Sequence, residues 1–364
     1  MENVVFNFFL WPFLVAFLIS FLATPLAIKF AWRFNMVDDP NKAKHPKKIH
    51  TYPVPRGGGI PIILALIITS LIFLPLDKHL LGILGGALLA AFVGIIDDRF
   101  DLNPYFRLLT CFAAAGIVVA AGIGIAFISN PFGGIIDLSG PRIYFSLFGE
   151  RSIWVLSSLF AIFWIAWTMN FVGWAGGVEG QLPGFVTIAA ITIGLLSLRS
   201  SGDVAQWPVI ILAAITAGGY LGFLPFNFYP QKIMPGYGGK SLAGFLLALL
   251  SIMAAAKVGA LVIVLGIPLT DALYSMLRRL KGRHSPVWGD AGHLHHRLLD
   301  LGWGKRKVAV FYWITTAFLG FLALNLNSQQ KFYTIVTLIV LFGGVLLWIN
   351  YFIKSQSQQD RFNG

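Results

Sequence analysis

The sequence predicts an all-α fold, a polytopic membrane helix bundle of about eleven transmembrane helices, and three observations carry that prediction. Of the 364 residues, 57% are hydrophobic and only 12% charged, with a mean hydropathy of +0.76, far from the composition of a soluble domain. Apolar runs close to the roughly 20 residues that cross a hydrocarbon core about 30 Å thick recur along the whole chain. The connections between them are too short to hold a soluble unit, so residues 1–364 read as one integral membrane domain. The single cysteine, Cys111, excludes an intrachain disulfide and a thiolate metal site. No nucleic-acid partner is expected for a chain whose solvent here is the lipid bilayer.

Taken in order, the expected spans are 5–28, 58–76, 79–97, 107–129, 153–172, 182–198, 207–228, 241–256, 258–275, 308–326 and 333–353. The first follows Met1-Glu-Asn directly, without the basic start and small-residue cleavage site of a secretory signal, and is expected to stay as a span. The stretch 241–275 is nearly continuous, but one helix of that length would measure about 50 Å, so it is divided at Lys257-Val-Gly259. Between the fourth and fifth spans, Asn130-Pro, Gly133-Gly and Gly140-Pro surround short alternating runs and predict a small hairpin. No internal repeat is visible.

Lysine and arginine orient the bundle. If alternate loops face opposite sides, one set holds 21 of the 27 basic residues, against Lys78, Arg142, Arg151, Arg199, Lys257 and Lys331 on the other. The rich side is placed in the cytoplasm, with the N-terminus outside and the C-terminus inside.

The polar chemistry falls on that same side. Asp97, Asp98 and Asp101 stand where the third span ends, and their three- and four-residue spacing puts them toward one side if the helix continues. Clustered carboxylates repel unless a cation sits among them, and Mg²⁺ commonly takes one or two carboxylates plus substrate phosphates. A solvated helix end explains the same three residues without chemistry. The first inner loop gathers Lys42, Lys44, Lys47, Lys48 and Arg56 near His45 and His50, which would attract lipid headgroups whatever its function. Its Pro55-Arg-Gly-Gly-Gly59 step also lets backbone N–H groups approach an anion. Asn170 ends the fifth span, and Glu179 is the only acid of the glycine-rich loop that follows, either a ligand, a base, or part of a plain turn. Asn227 ends the seventh span, suited to hydrogen-bond a substrate or to cap its own backbone. Gly239-Lys-Ser241 ends like a P-loop, but Met234 occupies the position of the required first glycine. His293, His295 and His296 have neither a nearby cysteine nor the i, i+4 spacing of a helical zinc pair. Beside Arg283 and Arg297 they suit phosphate better.

Together these segments resemble a known family. Val37-Asp-Asp-Pro-Asn41 with His50, Pro55-Arg-Gly-Gly-Gly-Ile60, Asp97-Asp-Arg-Phe-Asp-Leu102, Leu224-Pro-Phe-Asn227, Gly282-Arg-His-Ser-Pro286 and His293-Leu-His-His-Arg-Leu-Leu299 are similar to motifs of the polyprenyl-phosphate N-acetylhexosamine-1-phosphate transferases. The motifs occur in the right order over nearly the whole chain. The resemblance implies transfer of a sugar-1-phosphate from a UDP-amino sugar to polyprenyl (undecaprenyl) phosphate, with release of UMP. That step begins a lipid-linked cell-envelope glycan, in the bacterial plasma membrane and with a cytoplasmic active site. It implies Mg²⁺, with Mn²⁺ as a substitute, and a homodimer among the expected assemblies. The His-Leu-His-His-Arg form and the eleven spans resemble the branch that uses UDP-N-acetylglucosamine.

The resemblance places Asp97, Asp98 and Asp101 in catalysis and Lys48, His50, Arg56, Asn227, Lys240, Arg283, His293, His295, His296 and Arg297 in substrate binding. This chain departs from the family pattern twice. The family's Asp-Gly-x-Asp-Gly is here Gly176-Gly-Val-Glu-Gly180, and its metal-binding aspartate in Met-Gly-Asp is Tyr237, a poor Mg²⁺ ligand at a pKa near 10. The metal set is therefore moved to Asp98 (or Asp97), Asn170 and Glu179. An in-line attack by the lipid phosphate and a route through a covalent aspartyl intermediate both fit. A degenerate polyprenyl-phosphate-binding protein and a lipid transporter are the other readings.

Overall fold

The computed structural model describes residues 5–41, 50–130, 132–146, 150–254, 258–285, 288 and 292–362. Lys48, with Lys42, Lys44, His45, Lys47 and Lys257, lies outside the described residues. Backbone polar groups in lipid must be satisfied within their own segment, which makes the apolar runs helices. In chain order they are α1 (Phe6–Arg33), α2 (Gly59–Phe73), α3 (Lys78–Phe100), α4 (Pro104–Ala120), α5 (Val155–Trp174), α6 (Gln181–Leu198), α7 (Trp207–Asn227), α8 (Gly236–Met253), α9 (Val258–Val264), α10 (Gly266–Lys281), α11 (Leu294–Asp300), α12 (Lys305–Asn325) and α13 (Ser328–Phe362).

Among the described residues, eight helices are long and apolar enough to cross a membrane: α1, α3, α5, α6, α7, α8, α12 and α13. The chain is an all-α, multi-pass membrane protein. Each of the other three expected spans also contains helix. Two of them, α2 and α4, are shorter and apolar. The ninth expected span is not straight, since α9 and α10 meet at 82°. Proline explains the break: Pro268 has no N–H for the carbonyl of Val264, four residues earlier, and its ring crowds that carbonyl. Val264 is where α9 ends.

Burial sorts the helices into a core and a rim. About four-fifths of the apolar stretches of α6, α7 and α8 are buried, against 22% for α1 and 11% for α13, so the outer helices present Leu22, Leu26, Val340 and Trp348 to lipid. Three backbones meet without side chains between them. A Cβ on Gly94 of α3 would collide with the Gly238 backbone of α8, and one on Gly59 of α2 would lie 2.9 Å from the Gly238 carbonyl carbon. Small residues permit that approach, and it brings the ends of α2, α3 and α8 to one place.

The predicted hairpin between α4 and α5 is two antiparallel pairs. β3 (Phe127–Ser129) pairs with β4 (Ile135–Asp137), Ile128 facing Ile136, and β5 (Arg142–Ser146) pairs with β6 (Glu150–Trp154), Tyr144 facing Ser152. At the opposite end β1 (Val37–Asp38) pairs with β2 (Val54–Pro55). Arg56 then bridges to Met234, with Met234 N–H donating to Pro55 O at 2.8 Å and Gly58 N–H to Met234 O at 3.0 Å. This lacing sets Arg56 beside the start of α8.

Candidate functional site

The aspartate cluster is built where α3 stops. The helix ends at Phe100, and Asp101 follows in the left-handed region (φ 47°), its N–H bonded to Asp97 O at 2.9 Å. Asp97 and Asp98 stay in the last turn of the helix while Asp101 leaves its register, yet all three carboxylates meet one guanidinium. Arg56 places Nη1 2.7 Å from Asp101 Oδ1, Nε 3.5 Å from Asp98 Oδ1 and Nη2 3.6 Å from Asp97 Oδ2. Burial works against the Arg56 charge, but Asp98, Asp101 and Asp97 outweigh it and raise its pKa, so it stays cationic.

A second guanidinium closes the cluster from α4. Arg107 contacts Asp97 through Nε, lies 3.9 Å from Asp101, and covers the Tyr237 ring at 5.3 Å. Sequence reasoning missed Arg107, although the signal was present. Asn103 caps α4 by accepting Tyr105 N–H at 2.9 Å, and Pro104 starts the helix, so a connection this short turns the first turn of α4 back against the last turn of α3.

Asp98 is also anchored to α8. Its Oδ1 accepts the Tyr237 N–H at 2.8 Å, at a helix N-terminus where a carboxylate is favoured. Gly236 makes the approach possible. It has φ +65°, and any Cβ there would occupy the position of Asp98 Oδ2. Tyr237 therefore contributes its backbone, while its phenol turns to α4 and donates to Arg107 O at 3.0 Å. Lys240, one turn on, acts on the charge of Asp98 and on that of His295, linking the aspartates to the histidines.

The three residues expected to hold a metal each have their own partners. Asp98 is taken by Tyr237 and Arg56; Asn170 donates its amide to Ala166 O at 2.8 Å; Glu179 pairs with Lys305 Nζ at 2.9 Å and accepts from Gln231 at 3.4 Å. No group of three or more His, Cys, Asp or Glu among the described residues is arranged to hold a metal ion. What does fit Mg²⁺ is the two-carboxylate mode, completed by water and phosphate. Asp97 Oδ2 is buried without a hydrogen-bond partner, and Asp98 stands beside it.

The histidines form a stack over the loop after α5. His293 and His295 are parallel at 5.8 Å, and His295 lies 4.4 Å from His296. His293 Nδ1 is 2.9 Å from Asp271 Oδ2, and Arg279 Nη2 approaches its Nε2 at 3.2 Å. Arginine can only donate, so Nε2 accepts and Nδ1 carries the proton toward Asp271. Asp271 Oδ1 takes the Leu294 N–H at 2.8 Å and so fixes the start of α11. His295 packs on Gly177, where a Cβ would overlap its Nε2. Burial, then His296, His293 and Lys240, push its pKa well down, so it is neutral.

Other predicted residues are committed to the scaffold. Asn227 accepts from Gly180 N–H at 3.0 Å and donates to Gln231 Oε1 and Ile233 O, locking the Glu179 loop to the segment after α7. Arg297 donates to Leu346 O of α13 and lies over Tyr274, away from the aspartates. His50 is buried 3.9 Å from Asp38. Arg283 lies two residues past the end of α10, with φ 57°. Around Glu179, sequence reasoning missed Lys305, Gln231 and Tyr52, whose hydroxyl donates to Gln231 O at 3.1 Å. They are brought in from distant segments, and no local pattern marks them.

Comparison with known proteins points the same way as the sequence motifs. The model of glycosyl transferase family 4 matches residues 80–255, which span the aspartates, the Glu179 loop and the start of α8. The chain is 28% identical over 334 residues to a decaprenyl-phosphate N-acetylglucosaminephosphotransferase of Mycobacterium tuberculosis, covering 83% of this chain and 78% of that one. It is 27% identical over 296 residues to a probable undecaprenyl-phosphate N-acetylglucosaminyl 1-phosphate transferase of Bacillus subtilis, covering 79% and 76%. Against the undecaprenyl-phosphate alpha-N-acetylglucosaminyl 1-phosphate transferase of Escherichia coli K12 it is 28% identical over 348 residues, covering 92% and 88%. Motifs and relatives converge on one likeness: over residues 80–255 the chain is similar to glycosyl transferase family 4.

Proposed function

We propose that the protein transfers N-acetylglucosamine-1-phosphate, or a close N-acetylhexosamine analogue, from its UDP derivative to a polyprenyl phosphate, releasing UMP. The observation that carries this reading is the junction of α2, α3 and α8, where three carboxylates and two guanidiniums meet at the end of membrane helices. In phosphoryl transfer the protein does little covalent work, and positioning and charge neutralisation dominate. Arg56 and Arg107 supply forked donors for phosphate oxygens, and Lys240 adds a positive charge. Asp97 and Asp98 orient the lipid phosphate for in-line attack on the β-phosphorus. They are also the residues that would hold Mg²⁺, which when bound supplies Lewis-acid neutralisation of the pyrophosphate.

The Glu179 corner serves recognition of the nucleotide half of the donor. Its carboxylate, the Gln231 amide and the Tyr52 and Tyr229 rings are the partner types that a nucleobase uses. The reading includes eleven crossings, with the broken α9–α10 pair as one and α2 and α4 as short ones. The N-terminus is outside, and the site is on the cytoplasmic face of a bacterial inner membrane, supported by the 21 of 27 basic residues on that side. A homodimer is the proposed assembly. Purified protein given Mg²⁺, undecaprenyl phosphate and a panel of UDP-sugars tests it: a lipid-linked product and equimolar UMP are expected with UDP-N-acetylglucosamine, and no product with any donor would overturn it.

A further inference from the structure

At the membrane face opposite the aspartates, the other end of α3 borders a cavity of about 420 Å³, a size usual for small-ligand sites. Asp77 and Asp97 are twenty residues apart on this helix, about 30 Å at 1.5 Å per residue, so the cavity lies a hydrocarbon thickness from the site. Leu80 and Ile83 of α3, Leu212 of α7, and Ile252 and Met253 of α8 form its apolar wall. Its mouth is polar and ordered. Asp77 spends both oxygens on its own turn: Oδ1 accepts the Leu80 N–H at 2.8 Å, and Oδ2 lies 3.3 Å from His79 Nδ1. That contact turns His79 Nε2 the other way. A Cβ built on Gly122, which lines the cavity, would lie 3.7 Å from both His79 Nε2 and Lys78 Nζ, so two nitrogens converge on one point where no side chain stands.

We infer that this cavity is a binding site for an anionic phospholipid, its phosphate held between Lys78 and His79 and one acyl chain lodged among Leu80, Ile83, Leu212 and Met253. A donor pair at headgroup level with an apolar slot behind it matches a molecule that is itself half anion and half hydrocarbon. A zwitterionic headgroup fits less well, because its cation would face Lys78 while the Asp77 oxygens are already engaged. Occupancy would tie the far end of α3 to α7 and α8, and the opposite ends of α3 and α8 frame the aspartates. The site is independent of the transferase reading, and its test does not require turnover.

The test measures thermal unfolding and native mass spectra of the purified full-length protein with phosphatidylglycerol, phosphatidylcholine or sn-glycerol 1-phosphate. Phosphatidylglycerol is expected to raise the unfolding temperature and to remain bound in the spectrometer, with phosphatidylcholine at least tenfold weaker and the soluble headgroup without effect. Lys78→Ala combined with His79→Ala should remove the preference between the two lipids, and Met253→Trp should weaken both by filling the slot. Equal binding of the two lipids to the unmodified protein would overturn the inference without reference to any variant. So would stabilisation by the soluble headgroup alone, or an unchanged preference in the Lys78/His79 variant.

Discussion

Two buried acidic corners lie at the same end of the bundle, and they are charged differently. At the end of α3, Asp97, Asp98 and Asp101 face Arg56 and Arg107. Around Glu179, among the described residues, one carboxylate faces one lysine, Lys305, within a frame of amides and aromatic rings. Each corner keeps a buried carboxylate oxygen without a hydrogen bond, Asp97 Oδ2 and Glu179 Oε2, but only the first sets it beside a second carboxylate, and that corner suits a reaction in which charge moves. The second is closer to neutral balance and suits recognition. Residue type alone does not separate them, since both are acids near glycines. What separates them is the number of guanidiniums that the fold delivers.

The comparison breaks first at the aspartates. Asp97→Asn and Asp98→Asn are each expected to lower turnover about 10³-fold, with the protein still inserted and folded, because each removes a fixed charge at the reacting phosphates. Near wild-type rates in both would mean that the reaction centre lies elsewhere. Arg56→Gln and Arg107→Gln should each cost about 10²-fold, with the larger change in kcat.

The Glu179 corner should respond in another parameter. Glu179→Gln is expected to raise the KM for the UDP-sugar about tenfold and to leave the Mg²⁺ concentration for half activity unchanged, because Glu179 is paired with Lys305. A shift in Mg²⁺ dependence would join the two corners into one metal site. Lys305→Met combined with Glu179→Gln should be less than additive, with a coupling of roughly 0.5–3 kcal/mol.

A smaller effect concerns pH. His295 is held neutral by burial, so its folded pKa lies below the unfolded value near 6.5. The unfolded chain therefore binds the extra proton first. Stability is full above about pH 6.5 and falls below it, by up to about 1.4 kcal/mol per pH unit for this one group. His295→Gln should remove that acid limb from a thermal-unfolding series. Smallest of all, Tyr237→Phe should change turnover less than about threefold, since the cluster uses the Tyr237 backbone N–H and not its phenol.

Much of the fold was legible, because span length is a property of composition that the bilayer enforces locally. Each of the eleven expected segments contains a helix, and the hairpin region was marked by its Gly and Pro pairs. The bend at Leu265 was missed because 258–275 was read for hydropathy alone, although Pro268 was visible. In the site, the motifs named Asp97, Asp98, Arg56 and the histidines, but not which of them are occupied by the scaffold. Asn227 and Arg297 have side chains of substrate-binding type, and each is engaged with a backbone carbonyl that the fold supplies, while Asn170, expected as a metal ligand, bonds the carbonyl one turn back in its own helix. Arg107 and Lys305 went unrecognised because their partners lie on other segments. Tyr237 was weighed as a missing ligand, whereas its N–H is what holds Asp98.

The central claim is that a phosphate moves together with the sugar, and it is tested most directly by following the β-phosphorus. With UDP-N-acetylglucosamine labelled at that atom, undecaprenyl phosphate and Mg²⁺, the label should pass into the organic phase as a lipid pyrophosphate while UMP is released unlabelled, and Asp98→Asn should leave it in the donor. Recovery of the label as water-soluble UDP, with the sugar alone on the lipid, would contradict the account.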